Sequence, residues 1–117
     1  MSSRMINQLG SISIEDKVIA NIACNAAMET YGIVGMAAKN TKQDLYELLG
    51  IEDMTKGVVI KSNDDDSIHI EISVIMEYGV RIAVVAENVI DKIKYNVETN
   101  TKIKVDSINL VVQGIRV

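Results

Sequence analysis

The clearest periodicity in the chain is an alternation in which Ile68, Ile70, Ile72, Val74 and Met76 interleave with His69, Glu71, Ser73, Ile75 and Glu77. A period of two sends successive side chains to opposite faces of a strand, so one row is expected to be buried and the other mostly wet. Gly57-Val-Val-Ile-Lys61 precedes this stretch across Ser62-Asn-Asp-Asp-Asp-Ser67, which predicts a hairpin, and Gly79 breaks the second arm.

Two other stretches carry helical spacing. Val18, Ile19, Ile22, Ala23, Ala26 and Ala27 form one apolar face of a helix that runs to about Tyr31. Ser13, three residues before Asp16, resembles a capping box at its start, and Gly32 is a natural terminator. Ile82, Val85, Ala86, Val89, Ile93 and Val97 define a second helix of about 18 residues, ~27 Å long. Residues 10–14 and 33–38 read as short strands, and residues 44–49 as one or two helical turns ended by Gly50. In the last strand, residues 102–113, Ile103 and Val105 are odd whereas Ile108, Leu110 and Val112 are even. Keeping both sets in the core requires one extra residue, which predicts a β-bulge near Asp106-Ser107. The resulting order, β-α-β-β-β-α-β, defines an α+β, two-layer domain with two amphipathic helices packed on one face of a mixed β-sheet. Residues 1–8 read as a flexible N-terminal tail and residues 9–117 as a single domain.

Composition narrows this picture. Ile and Val make up 32 of the 117 residues, and such β-branched side chains favour a substantial sheet. No apolar stretch approaches the ~20 residues of a membrane span, and the start lacks the basic patch and apolar core of a secretory signal. Neither helix joins a cationic polar face to a large apolar one, which argues against direct membrane insertion. The lone Cys24 excludes an intramolecular disulfide framework. A net charge of −4 provides no global attraction for nucleic acid or anionic lipid.

Candidate chemistry is sparse. Asp64-Asp65-Asp66 offers carboxylate oxygens but lacks the spacing, turn glycine and distal Glu of an EF-hand, so it reads as a solvated turn. His69 falls on the wet parity of its strand with no second His to complete a metal site. Cys24, off the main apolar run of its helix, reads as a half-buried structural thiol. Glu71 and Glu77 are ~20 Å apart along a strand, too far to share acid/base work. Gly32-Ile33-Val34-Gly35 has the G-x-x-G spacing of a KH loop, the alternative reading as an RNA-binding module, yet its middle pair is apolar and its flanks lack cations. No Walker, dinucleotide-binding or nucleophile-elbow motif is present. These residues predict no catalytic set, no cofactor, no metal and no small-molecule substrate. A candidate interaction face remains, opposite the helices: His69, Glu71, Ser73, Ile75 and Glu77, joined by Lys102, Lys104, Asn109, Val111 and Gln113 of the last strand.

Two stretches resemble a known family. Residues 10–23, Gly-Ser-Ile-Ser-Ile-Glu-Asp-Lys-Val-Ile-Ala-Asn-Ile-Ala, continue to Glu29-Thr-Tyr-Gly-Ile-Val-Gly-Met36 and resemble the opening of the alkaline-shock protein family of bacterial envelope-stress proteins. Glu77-Tyr-Gly-Val-Arg-Ile82, Val85-Ala-Glu-Asn-Val89 and Val112-Gln-Gly-Ile115 resemble its second half. The resemblance implies a small, non-enzymatic cytoplasmic protein. It would act in interaction or scaffolding, through self-association or a membrane-anchored envelope-stress partner that holds it at the inner side of the membrane. Two departures stand out. Ile82-Ala-Val-Val85 replaces the usual Ile-Pro-Glu-Val, removing a favourable first helical turn. Asn100-Thr101 stands where the family often has Gly, and Asn can still take a left-handed cap.

Overall fold

A computed structural model describes residues 14–40, 45–48 and 51–116. In chain order the elements are α1 (Ile14–Met28), β1 (Ile33–Asn40), β2 (Leu45–Leu48), a 3-10 helix (Ile51–Gly57), β3 (Val58–Ser62), β4 (Ile68–Glu77), α2 (Ile82–Thr101) and β5 (Val105–Arg116). The fold is the expected α+β class. The expected tail and the first strand up to Ser13 lie outside the described residues, while Ile14 opens α1 instead of closing a strand.

β4 is the centre of the sheet. One of its edges is divided: β3 runs antiparallel along residues 68–72, and β1 runs antiparallel along residues 74–76. The other edge is matched over its whole length by β5, which runs parallel because α2 carries the chain back across the sheet. β1 continues past β4 into a ladder with β2, from Ala37↔Leu48 to Asn40↔Leu45. This corrects the helical turns expected over residues 44–49. Four residues are too short to nucleate a helix on their own, whereas the projecting end of β1 offers their backbone a ready ladder.

The alternation in β4 appears in the burial. Ile70, Ile72, Val74 and Met76 are fully buried and Ile68 nearly so, while the odd residues through Ile75 are half-exposed and Glu77 is exposed. Both helices press on the even row. Ala23, Ala26 and Ala27 let α1 approach closely, and Val85, Val89, Ile93 and Val97 form the matching stripe of α2. Two positions depart from the helical expectation: Val18 is 46% exposed, at the rim of the α1 stripe, and Cys24 is buried in the core.

The bulge expected near Asp106-Ser107 is present. Val105 is level with Ile68 and Ser107 with His69, so Asp106 is the extra residue. A second bulge follows, because Val112 is level with Val74 and Gly114 with Ile75, leaving Gln113 unmatched. The signal for it was the second change of parity, from Val112 to Ile115, beyond the expected end of the strand. The strand itself starts later than expected. Lys102, at φ 62°, is the left-handed cap of α2, and its N–H donates to the Glu98 carbonyl. The cap thus falls one residue beyond Asn100-Thr101, whose side chains instead donate back to the carbonyls of Asn96 and Val97.

Gly32 joins α1 to β1 at φ +96°, a conformation that L side chains rarely adopt. A Cβ there would lie 2.9 Å from Cγ2 of Val85, so the turn also lets α2 seat against it. Gly79 has a similar φ of +91° with nothing within 4 Å of such a Cβ. Gly32→Ala is therefore expected to cost about 2–4 kcal/mol and Gly79→Ala about 1–2 kcal/mol. Urea midpoints of the two variants check the order, and equal losses would contradict the role of Val85.

Candidate interaction face

The odd row of β4 forms the middle of the uncovered face. Register places His69 between Lys61 of β3 and Ser107 of β5, and Glu71 between Val59 and Asn109. Farther along, Ser73 is level with Val111, and Ile75 lies between Gly35 and Gly114. A Cβ on Gly114 would sit 3.4 Å from Cδ1 of Ile75, so that isoleucine extends over the glycine. The face is therefore graded. Charged and hydroxyl groups occupy the end near the hairpin turn, and the β-branched Ile75 and Val111 precede the exposed Glu77 at the other end.

His69 Nδ1 and Ser107 Oγ are 2.6 Å apart, a hydrogen bond across the β4–β5 pair. The hydroxyl donates when the imidazole carries its proton on Nε2. Ser107 reaches this face because the bulge lies at Asp106, and sequence reasoning missed it by leaving the bulge shared between the two residues. The expected site is otherwise assembled in part. His69, Glu71, Ser73, Ile75, Asn109 and Val111 share the face, with Glu77 exposed at its far end. Lys102 does not join them, since it caps α2. Lys104 precedes β5; its carbonyl accepts from the Ile68 N–H, and its charge acts on Asp65 in the neighbouring turn. Gln113 is the bulge residue. Val59 and Lys61 were missed because the hairpin's first arm lacks a clean alternation.

The acidic turn has its own hydrogen-bonding logic. Ser67 is buried, and its hydroxyl and backbone N–H both donate to Asp65 Oδ1, at 2.6 and 3.1 Å. Asn63 donates its side-chain N–H to the same hydroxyl at 3.0 Å. These bonds from Ser67, side chain first and then backbone, hold the Asp65 carboxyl below the usual carboxylate range, with a smaller contribution from Lys104. Among the described residues no group of three or more His, Cys, Asp or Glu could hold a metal ion.

Cys24 and His69 lie on opposite sides of the sheet, because the cysteine is in the core beneath the helices. Burial pushes the thiol up from its ordinary pKa, and its place across the sheet keeps it from pairing with His69. The Gly32-x-x-Gly35 stretch is no phosphate-clamping loop either: both glycines are buried, and Ile33 already belongs to β1. No described helix is long and apolar enough to cross a membrane.

A two-layer α+β chain with this order of blocks fits a family of small bacterial proteins, and comparison identifies it. The alkaline shock protein 23 family, described by its cell envelope-related function, matches residues 4–117, and the chain belongs to it. It is 43% identical to the uncharacterized protein YloU of Bacillus subtilis, over all of this chain and 98% of that protein. It is 36% identical to the uncharacterized protein Spy1614 of Streptococcus pyogenes, over all of this chain and 97% of that protein. No solved structure matches the chain.

Two expectations follow from the turn and the core. A carboxyl with a depressed folded pKa contributes stability above its unfolded value, and that contribution is lost as pH falls through the folded one. The stability gap between the wild type and Asp65→Asn should therefore be widest above about pH 4 and close on further acidification, as urea midpoints against pH would show. Cys24 should react with a thiol reagent only as fast as the core opens. A rate that matches free cysteine in native buffer would contradict its burial.

Proposed function

We propose that the chain is a non-enzymatic contact module of the envelope- and alkaline-stress type. It is cytoplasmic and is held at the inner side of the membrane by a membrane-anchored protein. The observation that carries this reading is the one-sided sheet. Both helices cover the even row of β4, while His69, Glu71, Ser73 and Ile75, with Asn109 and Val111, remain open. Mixed charge, hydroxyls and single β-branched side chains make such a face wettable yet able to pair with another surface. Membership of a family described as cell envelope-related supports the location.

Glu71 is the central charge of the face and is half-exposed, so its reversal changes the surface while sparing the core. Glu71→Lys is expected to shift the protein from the membrane fraction to the soluble fraction of native cells by about tenfold, the effect of one like-charge contact at an interface. Its melting temperature should stay within about 2 °C of the wild type. An unchanged distribution would sink the assignment of this face.

A further inference from the structure

We propose that the outer edge of β5 pairs antiparallel with β5 of a second copy of the chain, about a two-fold axis at Leu110. This names one partner of the contact module and rests on that reading.

Three observations converge on this edge. No described strand pairs with the side of β5 that faces away from β4, and the backbone donors and acceptors of that side have no partner among the described strands. The core-side row of this strand is also incompletely covered. Ile108, Leu110 and Val112 face the core but are only half-buried, although their neighbours Ile70, Ile72 and Val74 are fully buried. Ile115 is 41% exposed beside a fully buried Met76. Finally, the edge lacks side-chain guards: the bulges at Asp106 and Gln113 interrupt it, but from Ser107 to Ile115 there is no charged residue and no proline to keep another strand away. β3 is only five residues long and carries Lys61.

The geometry selects a second copy and a register. Between the bulges at Asp106 and Gln113, residues 107–112 are regular, with Ser107, Asn109 and Val111 on the open face. Antiparallel pairing that keeps each face continuous must match residues of like parity. An axis at Leu110 sets Leu110 level with itself, Ile108 with the second copy's Val112, and Asn109 with the second copy's Val111. All three half-buried core residues then gain apolar neighbours. An axis at Asn109 instead leaves Val112 level with the charged bulge residue Asp106. The pairing at Leu110 is isologous, closes at two copies, and continues one sheet through both with all helices on the same side.

Light scattering during size exclusion should show mass rising from 12.8 kDa toward twice that value as concentration increases. In a Cys24→Ala background, Leu110→Cys should be captured as a covalent dimer by oxidation or a short bismaleimide, and Ser73→Cys, in the middle of the open face, should not. The double variant N109K/V111K sets like charges level at both symmetric positions and should weaken the dimer at least tenfold. N109K/V111E sets opposite charges there and should retain it. The proposal is overturned by a mass fixed at 12.8 kDa, by capture at Ser73→Cys and not Leu110→Cys, or by equal loss in the two double variants. A fixed monomer whose membrane fractionation still responds to Glu71→Lys would remove the edge pairing alone. A dimer captured at Leu110→Cys with fractionation indifferent to Glu71→Lys would remove the face alone.

Discussion

The structure depends on one wall of side chains. Ile68, Ile70, Ile72, Val74 and Met76 project from a single strand, and every other layer is placed by contact with them. Removing such side chains from water supplies roughly 1.5–3 kcal/mol each, enough to fix which face of β4 receives the helices. A slip of one residue would send the whole row into solvent and bring Glu71 and His69 into the core. That penalty holds the register of β3, β1 and β5, which all pair with β4.

The junctions accommodate this central demand. α2 must return the chain to a strand parallel to β4, and the return is tied down at several points. Lys102 takes a left-handed conformation, Glu98 Oε2 accepts the Val105 N–H at 2.9 Å, and Thr101 Oγ1 accepts the Ile103 N–H at 3.2 Å. The bulge at Asp106 then corrects the parity so that Ile108, Leu110 and Val112 fall on the helix side. At the opposite end of the strand pair, Gly32 provides the sharp turn that seats Val85. These are local solutions to one global constraint, the covering of a single face.

Covering only one face defines where contacts can form. The odd row of β4 remains accessible because two helices can shield only one side of the sheet. The core-side row of β5 remains half-exposed, although the row of β4 beside it is fully buried. Face and edge are therefore distinct surfaces with distinct chemistry. The face is mixed and partly charged; the edge is uncharged backbone and apolar side chains.

Much of this was legible in the chain. Periods of two and 3.6 locate β4, α1 and α2, and the parity change before Ile108 locates the first bulge, because periodicity records which side chains must meet the core. The same parity places His69, Glu71, Ser73 and Ile75 on one face. What could not be read were features whose cause lies in another segment. Leu45–Leu48 is a strand because β1 projects past β4, and Lys102 leaves the face because α2 runs further than its apolar stripe. Ser107 meets His69 only once the bulge selects Asp106. Which residues share a face follows from local geometry and is written in the chain. Which strand lies beside which, where the sheet ends and which apolar row stays uncovered depend on backbone pairing between distant segments, and emerge only once the chain has folded.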